Sequence, residues 1–61
     1  MNKATRQINQ EFAKAHMTTV EAAQDKIKSL EASCERTSHK YIVEQYLVQI
    51  EALQQFINQQ Q

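Results

Sequence analysis

Residues 41–57 read YIVEQYLVQIEALQQFI, and their pattern constrains the architecture of the whole chain. When each residue is set 100° further around a helix, one wide apolar face appears. That face is formed by Ile42, Val43, Tyr46, Ile50, Leu53 and Ile57. A second, narrower apolar stripe lies nearly opposite and is formed by Tyr41, Val48 and Ala52. Since a helix that is apolar on two sides is usually covered on two sides, the sequence predicts that this helix is the centre of an assembly.

The composition favours an all-α fold. The chain has no Gly and no Pro, whereas hairpin-rich β folds need residues that adopt positive φ in their turns. The same absence excludes Gly-rich phosphate loops and the nucleophile elbow of the α/β-hydrolases. We therefore expect a single small helical domain over residues 1–61, with no linker.

A domain of 61 residues has a marginal core. A chain of this size buries only about 60% of the surface that it exposes when unfolded. One Cys and two His offer neither an internal disulfide nor an obvious structural metal site. The remaining ways to stabilise such a domain are self-association and docking on a partner.

The first half of the chain carries one apolar stripe with helical spacing. It begins with Met1, Ala4, Ile8, Phe12 and Ala15, and it drifts slowly through Ala23, Ile27, Leu30 and Cys34. This pattern predicts one amphipathic helix over residues 3–36. A competing signal lies inside it, because Thr18-Thr19-Val20-Glu21 has the spacing of a capping box that would start a new helix at Thr18. The alternative prediction is therefore three short helices.

The next break falls at Arg36-Thr37-Ser38-His39-Lys40, a stretch without apolar residues. Thr37 or Ser38 can cap the helix that follows. The preferred architecture is a helical hairpin, with helices at about 3–36 and 40–59, that pairs into a dimeric four-helix bundle or a coiled-coil-like assembly.

Two surfaces are candidates for binding. The wide face of the C-terminal helix is the predicted self-association surface, with Ile42, Val43, Tyr46, Ile50, Leu53 and Ile57. The predicted partner-binding residues are Phe12, Tyr41, Val48 and Ala52. Phe12 and Tyr41 are the expected anchors, because aromatic side chains dominate interface hot spots.

No constellation for catalysis or metal binding is evident. Glu31, Glu35 and His39 follow one another at four-residue steps, but one His and two exposed carboxylates make an incomplete ligand set. Cys34 falls inside the apolar stripe and points about 140° away from His39 on a helix, so it is expected to be a small buried hydrophobe. We predict no catalytic, metal or cofactor-binding residues and no enzymatic activity.

The charge balance bears on the kind of partner. Seven basic residues oppose seven acidic ones, whereas a nucleic-acid-binding domain usually has a basic excess on one face. The apolar run Tyr41-Ile42-Val43 is far shorter than the roughly 20 residues that span a bilayer. With no signal-peptide pattern at the N-terminus, we expect a cytoplasmic protein, in the host cytoplasm if the gene is viral.

These observations predict a small regulator, inhibitor or adaptor that acts stoichiometrically on a protein partner through its helix faces, and that forms a homo-oligomer, with a dimer favoured. Two alternatives are a small dimeric helical regulator that binds nucleic acid and a structural coiled-coil component of a larger assembly. A basic face on the dimer would favour the first alternative. An apolar patch that stays exposed would favour protein binding.

Overall fold

Three α-helices make up the chain in a computed structural model that describes residues 1–61. Helix α1 spans Lys3–Lys14, α2 spans Val20–Arg36 and α3 spans Lys40–Gln59. The all-α prediction is confirmed, and among the predicted architectures the three-helix alternative fits. No helix has the length and apolarity needed to cross a bilayer.

The prediction of one helix over residues 3–36 is wrong, because the chain leaves the helical path after Lys14. His16 N donates to Ala13 O at 3.0 Å and Met17 N donates to Lys14 O at 3.1 Å, which is the tighter bonding typical of a helix end. Thr19 then takes an extended backbone conformation, and its hydroxyl accepts a hydrogen bond from Ala22 N at 3.0 Å. This local cap competes with helix continuation, and it lies one residue later than the predicted start at Thr18.

The predicted break between α2 and α3 is confirmed, although its cap differs. The backbone N–H of Thr37 donates to Ser33 O at 3.1 Å and closes α2. The Thr37 hydroxyl accepts from His39 N at 3.2 Å, so it fixes the turn rather than capping α3. The N-cap of α3 is His39, which makes no side-chain capping bond. The expectation that Thr37 or Ser38 caps α3 is therefore wrong.

Helix α3 lies between the other two helices. Both α1 and α2 pack on α3 and not on each other. Thr5 lies beside Tyr41 and Asn9 lies beside Gln45 and Gln49, so α1 runs in the same direction as α3. The Cα atoms extend 32 × 25 × 16 Å, as expected for a shallow layer of three helices. The two sides of α3 are thus covered within one chain, because the break near Thr19 divides the N-terminal half into two covering helices.

The core is small. Its central cluster consists of Ala13, Ala23, Leu30, Leu53 and Ile57, and half-buried side chains such as Tyr46, Ile50 and Phe56 pack against it. Leu53 is the largest apolar side chain that is fully buried. Ala13 of α1 and Ala23 of α2 are fully buried as well, and their single methyl groups allow both helices to approach α3 closely. Because few large side chains fill this core, each one carries a large share of the stability.

Candidate protein-binding face on helix α1

Helix α1 presents its apolar side to solvent. Ala4, Ile8 and Phe12 recur every four residues and therefore form one row along the helix, which we call the α1 row. Ile8 is 52% exposed and Phe12 is 59% exposed. Since an amphipathic helix normally turns such a stripe towards the core, this row is a candidate binding surface.

The side of α1 that packs on α3 is the next row around the helix. Each of Thr5, Asn9 and Ala13 follows a member of the α1 row by one residue, which places this second row about 100° away. Asn9 is only 2% exposed, Ala13 is fully buried and Thr5 is half-buried. Helix α1 is therefore docked through small and polar residues while its larger apolar side chains remain outside.

A cluster of amides makes this docking possible. The Asn9 Nδ2 atom donates to Thr5 O at 2.9 Å and to Gln45 Oε1 at 3.2 Å. In return, Gln49 Nε2 donates to Asn9 Oδ1 at 2.7 Å. No buried side-chain nitrogen or oxygen lacks a hydrogen-bond partner. The cost of burying Asn9 and Gln49 is thus offset, since a buried amide is tolerated when it is satisfied.

The edges of the α1–α3 contact are polar and solvent-exposed. Arg6 Nη2 lies 3.4 Å from Glu51 Oε1, and both side chains are about half exposed. On the other edge, Thr5 Oγ1 and Tyr41 Oη are 3.5 Å apart, which is long for a hydrogen bond between hydroxyl groups. Exposed ion pairs contribute only about 0–1 kcal/mol, so the buried amides and Ala13 dominate the docking of α1.

The four predicted partner-binding residues fall into two pairs. Phe12 and Tyr41 are exposed, so both side chains are accessible on the single chain. Val48 is 6% exposed and Ala52 is half-buried; Val48 lies near Arg6, and Ala52 lies near Met17. The N-terminal segment thus covers most of the second stripe of α3. A role of any of the four in binding a partner stays a prediction.

The predicted self-association residues are used mostly within the chain. Leu53 and Ile57 belong to the core cluster, and Tyr46 and Ile50 pack against it. Val43 is half-buried, whereas Ile42 is 37% exposed. Four of the six residues thus have packing partners within a single chain, so most of the wide face of α3 does not need a second copy to be covered. Association between chains stays a prediction.

The titratable residues singled out in the sequence do not converge on one site. Cys34 is a half-buried free cysteine in α2, and Glu31 and Glu35 are exposed on the same helix. His39 lies beyond the end of α2, so the four-residue steps that linked it to these carboxylates are interrupted. No group of three or more His, Cys, Asp or Glu side chains is placed to hold a metal ion.

Sequence reasoning missed the amide cluster. Gln45 and Gln49 are four residues apart on α3, and Asn9 is polar at a position directly beside the apolar stripe of α1. Polar residues at such positions read as ordinary solvated side chains. They become a buried hydrogen-bonded cluster only when α1 packs on α3, which brings together residues 36–40 positions apart in the chain.

Comparison with known proteins does not assign a family. No family model, curated protein or solved structure matches this chain.

Proposed function

We propose that this chain is a small non-enzymatic protein-binding module, a regulator, inhibitor or adaptor, that binds a partner protein stoichiometrically through the α1 row. The observation that supports this proposal is the exposure of Ile8 and Phe12 on a helix that buries Asn9 instead. A large apolar side chain left in water beside a buried amide is the opposite of what packing alone favours. Binding to a partner would bury these exposed apolar side chains.

Phe12 is the proposed anchor. Aromatic side chains supply large contact areas with little loss of side-chain entropy, and they dominate interface hot spots. At the observed exposures, Ile8 and Phe12 each leave on the order of 100 Å² accessible, which corresponds to about 2–3 kcal/mol of gross transfer free energy when buried. Ordering and association consume part of this gain, so we expect each side chain to contribute about 1–2 kcal/mol to binding.

The composition and shape of the α1 row indicate the kind of partner surface that would fit it. The α1 row contains no charged or polar residue, and α1 presents it as a narrow ridge. A complementary surface is an apolar groove or the apolar side of another helix, as in helix-in-groove recognition. Exposed Tyr41 lies at the edge of α1 next to Thr5, where it can extend the contact with a polar hydroxyl.

The test compares a double variant of the α1 row with a single control variant on another side of α1. In the first, Ile8→Ser and Phe12→Ser remove the two large apolar side chains of the α1 row; in the second, Gln10→Ser changes an exposed polar residue. Each purified chain is immobilised and exposed to lysate from its source organism, and proteins retained by the wild type are quantified by mass spectrometry. A retained protein is then titrated by calorimetry.

We expect a partner that binds at one-to-one stoichiometry, is retained by Gln10→Ser and loses at least about tenfold in affinity, or about 1.4 kcal/mol, with the row variant. Helicity and thermal midpoint should change little, because the substituted side chains are exposed. If the retained proteins bind the row variant as tightly as the wild type, the α1 row is not the binding face.

A further inference from the structure

Helix α1 has two sides that could dock on α3. Rolling the helix by about 100° would turn Ile8 and Phe12 towards α3 and would turn Asn9 and Ala13 away from it. The hydrophobic effect favours that second orientation, because it would bury two side chains that are each more than half exposed. The observed orientation therefore requires an opposing interaction.

The opposing interaction lies on α3. Gln49 is buried and Gln45 is half-buried, and both bond to Asn9. In the rolled orientation, an apolar side chain of the α1 row would replace Asn9 against them. The two glutamines would then be covered without their partner, and an unsatisfied buried amide is strongly disfavoured.

We propose that Asn9, Gln45 and Gln49 are positioning residues that set the rotation of α1 about its axis and thereby keep the α1 row exposed. A single buried polar residue that fixes helix register is a known use of such groups, at the expense of stability. The orientation itself does not depend on what binds; only its use as a binding face rests on the proposed function.

The test removes the amides on α3 and leaves α1 unchanged. In the variant Gln45→Leu/Gln49→Met, Asn9 loses both side-chain partners in the observed orientation, while α3 becomes a suitable surface for Ile8 and Phe12. The control variant Gln54→Leu/Gln59→Met makes the same chemical change at two exposed glutamines of α3. Nuclear Overhauser spectra of isotope-labelled protein report which side of α1 faces α3.

We expect the wild type and the control to show contacts between the side-chain amides of Asn9 and Gln49, and none between the Ile8 and Val48 methyl groups. In the double variant, methyl and ring contacts from Ile8 and Phe12 to Val48 or Ala52 should appear. Contacts among Leu30, Leu53 and Ile57 should persist in every variant, which separates a rolled helix from an unfolded chain.

An intact core with no new contacts from the α1 row in the double variant would overturn the proposal. If the double variant loses its core contacts, the single variant Gln49→Met becomes the decisive test of the proposal. It removes only the 2.7 Å hydrogen bond to Asn9 and keeps Gln45. This milder variant should show the same new contacts at lower intensity, and their absence would also overturn the proposal. The outcome is independent of partner capture, so failure here leaves the test of the binding face in force.

Discussion

The N-terminal cap of α2 allows a sharp test of the break that divides the first half of the chain. Replacing Thr19 by Ala removes the hydroxyl that accepts from Ala22 N at 3.0 Å and leaves that N–H to water. Loss of a Thr cap costs about 1 kcal/mol, within a range of roughly 0.5–2 kcal/mol. For a chain of 61 residues, a change of 1 kcal/mol lowers the thermal midpoint by about 6–8 °C.

The matched control is Thr18→Ala, which changes the neighbouring exposed threonine and should alter stability by less than about 0.5 kcal/mol. Thermal unfolding followed by circular dichroism at 222 nm measures both variants. Thr19→Ser should retain most of the wild-type stability, since Ser is at least as good a cap. If Thr18→Ala is the more damaging change, the cap lies at Thr18 and our assignment of the α2 start is wrong. If both changes are neutral, the helix does not break there.

Two further predictions concern stability. Leu53→Ala should lower the free energy of unfolding by about 2–5 kcal/mol, because Leu53 is fully buried in the core cluster; chemical denaturation will measure it, and a loss below about 1 kcal/mol would contradict the observed core. His39→Asp should raise stability by about 0.5–1 kcal/mol, because α3 lacks a side-chain cap and an acidic residue also suits a helix N-terminus; an unchanged or lower thermal midpoint would contradict this cap position.

The sequence predicted those features of the fold that depend on the pattern of a single helix. The two apolar sides of residues 41–57 predicted a central helix, and α3 does lie between two others. The polar stretch around residues 36–40 predicted a break, because a helix there would have no apolar side chain to bury against the rest of the chain. Both inferences depend on residues that are neighbours on one helix.

The break near Thr19 was harder to predict, because two local signals disagreed. The apolar stripe keeps its phase across the threonines, which favours one helix, whereas a threonine hydroxyl can cap a new one. The structure follows the cap and ends α1 at Lys14. Tertiary packing explains this outcome, because only two separate helices can cover both apolar sides of α3. That benefit appears only when residues far apart in the chain are brought together.

The orientation of α1 could not be predicted from its own pattern. A helix with an apolar stripe usually buries that stripe, and this general expectation would place Ile8 and Phe12 inside, although Phe12 was also predicted as a partner-binding anchor. The expectation fails because the surface of α3 that receives α1 contains Gln45 and Gln49, for which Asn9 is a better partner than an apolar residue. Which side of a helix is buried is a property of the pair of surfaces, so the pattern of one helix determines it only when the other surface is apolar.

The orientation of α1 also links the small core to the proposed function. Burying Ile8 and Phe12 would enlarge the core, yet it would leave the amides of α3 unpaired and would remove the proposed binding surface. Satisfied amides keep one orientation of α1 without using its apolar side chains. The proposed binding function would benefit from that arrangement, because the two large apolar side chains of α1 remain available for association with a partner.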